Sequence, residues 1–466
     1  VNRINTLLRQ DETRDSGFTL IEVLVAMMVF AIISVIVAYS LTLSMTMTRN
    51  SRASEVAANL AAQQVDVARA TPDVFDVTSG VVTQTLDGTT YTITKSVGWV
   101  NSAGAASDCG SGSGILQNKT LNVSVTWDGK NPSTTPVQAS TLLAPAGPIN
   151  DPTTGTIIVH VTNAAGQALP GVPVAVKVDT TVSPNTATAV SAAPDPTDSD
   201  GCSYVLKVTP GTYVVTVGKT GDGRISSKQV QVPSAQTTVT AGQSSVLDVQ
   251  YDTAATPAVT LSPGAPLGTM FPTSLPMTYA PQGDAYSTSV SPVTLAAITT
   301  ATTPLFPWGS GYSIFAGQYV PTGGGLPQCL SVDPGQWVSP NASGNVGQRP
   351  TAVGVTAGSA PITVAMPVIR ISTSSKWIVA VSATAATAVG DPGCSTGMTL
   401  RYGQSPAIGG IANVALPYGS WKIYALSNQT DPLQDSALVD KTKITLPAGS
   451  PPFTGANILT IDPRLP

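Results

Sequence analysis

The chain has 466 residues, of which 10% are charged, with 42 Gly, 38 Pro and a formal net charge of −4. That length suits roughly three or four domains of ordinary size. There is no run of Lys or Arg to supply the clustered cations of a nucleic-acid surface, so nucleic acid is not an expected partner. Only three glutamates occur, Glu12, Glu22 and Glu55. Beyond Glu55 the acidity comes from Asp alone, which suits turns better than helices, so the bulk of the chain reads as turn-rich β structure.

Taken in chain order, residues 1–17 form a polar leader, VNRINTLLRQDETRDSG, and an apolar run follows it. From Phe18 to Tyr39 the only ionisable side chain besides Tyr39 is Glu22. At 1.5 Å per residue the run crosses a hydrocarbon core of ~30 Å, which predicts a transmembrane helix. An ordinary secretory signal places its small-residue cleavage site after the apolar run. Here the small residues, Ser16 and Gly17, lie before it, so cutting there would leave the apolar segment as the new N-terminus. Glu22 needs a partner, because an ionisable group within a span is expensive and is functional by default. No Gly or Pro interrupts residues 18–71, and Pro72 then ends the pattern, which predicts one helix of ~80 Å. Val56, Leu60, Gln64 and Val67 fall at near-helical spacing as a stripe able to lie on a sheet.

The residues Gly17, Phe18, Thr19, Leu20, Ile21 and Glu22 resemble the processing motif of type IV pilins and pseudopilins. The resemblance implies that a membrane prepilin peptidase cleaves after Gly17 and that the amine of Phe18 is methylated. It also implies that Glu22, the fifth residue of the mature chain, aligns subunits by pairing with a neighbour's Phe18 amine. The family expectation is a minor pilin or pseudopilin, a structural subunit of a type IV pilus-like filament. Its partners would be other pilin subunits through the helix, the prepilin peptidase, the assembly platform and ATPase, and the membrane. The chain would then be a single-pass membrane protein, N-terminus cytoplasmic, before display at the cell surface. Many major pilins interrupt the membrane segment with Gly or Pro, and this chain does not.

Residues 72–148 read as a pilin-like head. VVTQTL and TTYTITKSV alternate apolar with polar about Asp87 and Gly88, a strong hairpin signal. TLNVSVTW turns at Asp128 and Gly129, and PVQASTLLA supplies a fourth antiparallel strand. After the Pro-rich joint APAGPINDP, GTIIVHVTNAAGQALPGVPVAVKV together with DSDGCSYVLKVTPGTYVVTV resembles a carboxypeptidase-regulatory-like or prealbumin-like β-sandwich at residues 149–252. ALPYGSWKIYAL and the DPGC before it echo VTPGTYVVTV and DSDGC, which suggests an internal repeat and a second sandwich at 361–466. Residues 253–360, rich in Pro, Gly and Thr, form a β module between them. The expected architecture is thus α+β at the N-terminus, a long transmembrane helix packed on an antiparallel sheet, followed by several all-β immunoglobulin-like sandwiches.

Four cysteines, Cys109, Cys202, Cys329 and Cys394, never form a CxxC pair, and an even count in an exported chain fits two disulfides. Four cysteines allow three connectivities; the repeat favours Cys109 with Cys202 and Cys329 with Cys394. The single histidine, His160, sits opposite Ile157, Val159 and Val161 on its strand, so it faces solvent or an edge rather than serving a triad. Asp195, Asp198 and Asp200 precede Gly201 as in a calcium loop, but Pro196 and Lys207 stand where ligands are needed. No enzyme, cofactor or metal is expected. The ectodomain's expected task is adhesion to a surface glycan or protein. The rival reading is a membrane-anchored carbohydrate- or cell-wall-binding protein outside any filament; any exposed aromatics among Phe306, Trp308, Tyr312 and Phe315 could stack on sugars, while buried core is the expectation for most of them.

Overall fold

The computed structural model describes residues 19–101, 106–110, 116–129, 135–145, 149, 151–281, 293–295, 304–319, 329–356, 361–374, 376–384, 389–405, 410–455 and 457–465. One long helix precedes a series of mostly antiparallel sheets, and the chain divides into two compact units. The first holds residues 1–99 and 117–147; the second holds 100–116 and 148–466.

In the first unit, helix α1 runs unbroken from Leu20 to Ala70. Thr19 caps its start, and Thr71 ends it with an extended backbone before Pro72. The following strands are β1 (Gly80–Leu86), β2 (Thr89–Asn101), β3 (Ala106–Ser107, in the segment 100–116 that is counted with the second unit), β4 (Leu116–Trp127) and β5 (Val137–Leu143). The sheet order is β1-β2-β4-β5, with β3 also paired to β2. Asp87 and Gly88 both have positive φ, 49° and 74°, as a two-residue hairpin turn requires. Inward residues alternate along β4, so Leu121, Val123, Val125 and Trp127 are buried and their neighbours are not. Lys119 occupies the next inward position; its Nζ donates to Val77 O at 2.9 Å and lies 5.0 Å from the Trp99 ring.

The helix covers this sheet with a face different from the sequence stripe. Its buried residues are Ala53, Ala57, Leu60, Ala61, Val65 and Ala68, whereas Val67 is 57% exposed. At 100° per residue the buried face is rotated by roughly 70° from the stripe of Val56, Leu60, Gln64 and Val67. The cause is side-chain size. Four of the six buried residues are alanines, which let the strands approach the helix backbone, while Val56 and Val67 stand at the margin. Arg69 fastens the end of the helix to β5 through Thr141, 2.8 Å from its Nη2.

The second unit begins with a sandwich: β6 (Gly155–Thr162), β7 (Val174–Val178), β8 (Cys202–Val208), β9 (Gly211–Val217), β10 (Arg224–Ser226), β11 (Ser234–Val239) and β12 (Ser244–Thr253). The sheets are β10-β12-β6-β8 and β11-β9-β7, closed over Ile157, Val159, Val161, Val215 and Tyr213. Next come β13 (Val259–Leu261), β14 (Met277–Pro281), β15 (Val293–Leu295), β16 (Tyr312–Ala316) and β17 (Ile362–Val364). The last group is β18 (Val368–Ser372), β19 (Trp377–Ser382), β20 (Thr399–Gln404), β21 (Ile411–Ala415), β22 (Gly419–Leu426), β23 (Ile444–Thr445) and β24 (Leu459–Ile461). It forms sheets β21-β18-β23 and β20-β19-β22-β24. The stretch before residue 360 shares a core with this group: Leu305, Phe306, Trp308 and Tyr312 cluster with Ile369, Trp421 and Ile423, and β13 pairs with β17.

The sequence echo corresponds to a local corner. Gly211 has φ 152°, and two residues on the buried Tyr213 hydroxyl donates to Thr209 O at 2.8 Å. Gly419 has φ 124°, and two residues on the buried Trp421 Nε1 donates to Pro417 O at 3.0 Å. A Cβ at position 211 would fall 2.3 Å from Ala187 N, so only glycine fits there. Pairing differs around the two corners. β12 runs parallel to β6 in the first sandwich, while every strand pair among β18 to β24 is antiparallel.

Candidate functional site

The helix start is built by its own residues. Thr19 Oγ1 accepts from Glu22 N at 3.4 Å, and Thr19 O accepts from Glu22 N at 3.1 Å and Val23 N at 3.3 Å. Glu22 thus stands three residues after an N-cap threonine, where the helix dipole favours a carboxylate. Its side chain is exposed. Gly17 and Phe18 lie outside the described residues.

From Leu20 to Met47 the helix is bare on every side: Leu24, Met28, Phe30, Ile36 and Leu41 are all more than half exposed. It is long and apolar enough to cross a membrane, and none of the described residues buries that stretch. Most of the serine and threonine hydroxyls in and just beyond it are satisfied internally. Ser34, Ser40, Thr42 and Thr48 donate to the carbonyls of Phe30, Ile36, Ala38 and Ser44, each four residues back. This removes the penalty of an unpaired hydroxyl in hydrocarbon. Tyr39, 19 residues beyond Leu20, sits ~29 Å along the helix, at the far edge of a hydrocarbon core where aromatic residues are favoured.

The remaining sequence candidates have structural employment. His160 is partly exposed on β6, its Nδ1 3.1 Å from Asp248 Oδ1 on the neighbouring strand. Asp198 Oδ1 accepts from the backbone N–H of Asp200 and Cys202, closing a tight turn before β8. Among the described residues no group of His, Cys, Asp and Glu is placed to hold a metal ion. Phe306, Trp308, Tyr312 and Phe315 are all at most 2% exposed, so none of them can stack on a sugar. Cys109 is bonded to Cys202 and Cys329 to Cys394, both bridges within the second unit.

Two ion pairs, one buried and one half-buried, were not apparent from the sequence. Arg464 is bidentate to Asp462, donates to Ser339 O and Val389 O, and stacks 5.0 Å from the Trp337 ring. Arg349 clasps Asp333 with its nearest contact at 2.6 Å. The bond to Asp333 pushes the Arg349 guanidinium further above its ordinary range, against the opposing effect of burial. The D-P-R run at 462–464 and the single Arg349 carry no periodic signal, so only the fold brings these partners together.

Comparison with known families matches residues 13–38 to the prokaryotic N-terminal methylation motif. The chain therefore carries a type IV prepilin motif leading directly into an apolar helix, and is a membrane-anchored precursor. No curated protein matches the chain. Among solved structures it is similar to the Bacillus anthracis TIE protein, at 12% identity over 82% of this chain and 66% of that one, with a TM-score of 0.19. It is similar to a streptococcal ancillary pilin at 13% identity, over 54% of this chain and 78% of that one, TM-score 0.20. It is also similar to GBS52, the minor pilin of Streptococcus agalactiae, at 16% identity, over 30% of this chain and 63% of that one, TM-score 0.18. TM-scores of this size do not establish a shared overall fold, and the architecture rests on the strands and cores described above.

Proposed function

We propose that the chain is a minor pilin or pseudopilin, inserted by its helix into a type IV pilus-like filament and displaying a large β-rich ectodomain at the cell surface. One observation carries this reading: a methylation motif at 13–38 opens into a helix that stays bare from Leu20 to Met47. In that reading a prepilin peptidase cuts after Gly17, and Phe18 becomes a methylated N-terminus. The Phe18 amine is cationic at neutral pH, and Glu22 meets that of a neighbouring subunit. Left unpaired in lipid, the Glu22 carboxylate would be disfavoured by several kcal/mol. The partners are other pilin subunits and the assembly machinery, and the role is structural rather than catalytic. The ectodomain spans most of the chain, whereas a filament rising by about one helix diameter, ~10 Å, per subunit has little room for it. A tip or sparse position follows, with the two disulfides and the shared core of the second unit suited to extracellular display. The boundary at residue 149 and the modules 253–360 and 361–466 belong to the same proposal, the last two closed around one shared core.

Two measurements test it. Intact mass of the mature chain is expected to show loss of residues 1–17 and a methyl group on Phe18. In sheared filaments, Glu22→Ala is expected to reduce incorporation at least tenfold while the membrane pool persists. Unchanged incorporation would remove the pairing role, and a mature chain that keeps Gly17 joined to Phe18 would remove the filament reading.

A further inference from the structure

The chain leaves the head twice. Segment 100–116, between β2 and β4, is counted with the second unit, and residue 148 begins the final exit after β5. Cys109 lies in that first segment and is bonded to Cys202 at the start of β8, 93 residues on; both are 1% exposed. The bridge closes a covalent loop that contains β4, β5, the Pro-rich joint, β6 and β7. A pull on the chain beyond Cys202 therefore passes through the bridge to Cys109 and enters the head at the end of β2. Without the bridge, the same pull follows the backbone and enters at the end of β5.

The point of entry decides what must break. β5 is an edge strand, held by one ladder to β4 over seven residue pairs. Of its helix-facing residues, Val137, Ala139 and Thr141 are half-buried and Leu143 alone is buried. β2 lies between β1 and β4, with a ladder on each side. Its inward side chains Tyr91, Ile93, Val97 and Trp99 are at most 3% exposed, and the Trp99 ring lies 5.0 Å from that of Phe75. Both strands run in the direction of α1: Thr89 opens β2 at a cleft shared with Arg52, and Thr141 near the end of β5 bonds Arg69. A pull against the membrane-held helix thus acts along either strand and loads a ladder's hydrogen bonds together. Sliding β2 breaks two ladders and draws two buried aromatic side chains out of the core. Sliding β5 breaks one ladder and moves mostly half-exposed small side chains.

We propose that the Cys109–Cys202 bridge sets the load path of the molecule: it moves tension between the ectodomain and the membrane helix from edge strand β5 to central strand β2. The head then survives pulls that would strip β5 from it. Tension of this kind arises whenever a displayed domain is attached to something outside the cell. This inference rests on display of the ectodomain from a membrane-held helix and is independent of filament incorporation.

The test holds the full chain in surface-tethered nanodiscs and pulls a C-terminal tag at constant load in magnetic tweezers, where lifetime reports the unfolding rate. Rupture of the head is recognised by its step length, which in the bridged chain stops at Cys109. Cys109→Ser with Cys202→Ser should shorten the lifetime of the head at least tenfold and lengthen the fully extended chain by about 310–330 Å. Without load, hydrogen exchange of the β2 and β4 amides in that variant should match the wild type, because the bridge lies outside the head. Cys329→Ser with Cys394→Ser opens a loop of 65 residues elsewhere in the second unit. It should gain about 220 Å of extension and keep the wild-type lifetime of the head. A further chain keeps both bridges and carries a Gly/Ser insert of about ten residues after Gly147, a flexible coil inside the closed loop. Its extension and head lifetime should equal those of the wild type, and it keeps the test open where a serine variant does not fold. Four results overturn the load-path role: an unchanged head lifetime without the Cys109–Cys202 bridge, an equal shortening without the Cys329–Cys394 bridge, an equal loss of exchange protection without load, or an insert that lengthens the bridged chain. A chain that behaves as expected under load yet never enters filaments would count against the pilin role alone.

Discussion

The two halves of α1 share one unbroken backbone and have opposite surroundings. Between Leu20 and Met47 the side chains are large, apolar and bare, whereas between Ala53 and Ala68 the buried ones are mainly alanine against a sheet. Helix propensity is adequate in both, so the difference lies in side-chain size and its distribution around the axis. A helix apolar on every side requires lipid or other helices all round. A helix with one narrow face of small residues needs only a single sheet. Membrane contacts, and in the proposed filament the contacts with other helices, therefore belong to the first half, and the second half is occupied in holding the head.

Placing a lysine in each half should separate them most sharply. Val29 lies near the middle of the span and is 49% exposed in the isolated chain. Val29→Lys is expected to make membrane insertion less favourable by about 3 kcal/mol, read as the ratio of inserted to non-inserted chains in a reporter fusion. Insertion at the wild-type ratio would mean that the first half does not face lipid.

A smaller effect is expected where the second half meets the sheet. Ala57 is fully buried, and Ala57→Leu forces extra carbons between helix and strands. Overpacking of this kind typically destabilises by about 1–3 kcal/mol, which thermal unfolding of the head would report. A head unaffected by the larger side chain would show that the helix face is loosely seated rather than closed by alanines.

Sequence pattern revealed the helix, its end at Pro72 and the four main strands of the head, because each rests on local periodicity or on turn residues with one conformational use. Asp87–Gly88 is such a case: two positive φ angles are needed, and these residues tolerate them. The repeated Gly-x-aromatic was legible too, but as a corner only. Pairing of the flanking strands is decided by distant residues, so β12 lies parallel to β6 with no counterpart among β18 to β24. Lys119 at an inward strand position defied the pattern, since its Nζ is satisfied by backbone carbonyls remote in sequence. The core shared across residue 360 was likewise hidden, because Phe306 and Trp308 signal burial without naming their partners. Of the site residues, Glu22 stood out because a lone carboxylate in an apolar run is costly.

The mildest substitution bears on the rotated stripe. By spacing alone Val67 belongs with Leu60 on one face, and an inward valine replaced by lysine would bury a charge and disrupt the head. In the fold Val67 is 57% exposed while Leu60 is 5% exposed, so the two part at the edge of the buried face. Val67→Lys should therefore change the unfolding free energy of the head by no more than about 0.5 kcal/mol, as for other surface sites. The lysine stem can lie along the helix and keep its ammonium in water. A loss of several kcal/mol would restore the face read from the spacing of Val56, Leu60, Gln64 and Val67. It would also mean that alanine size is not what seats the helix on the sheet.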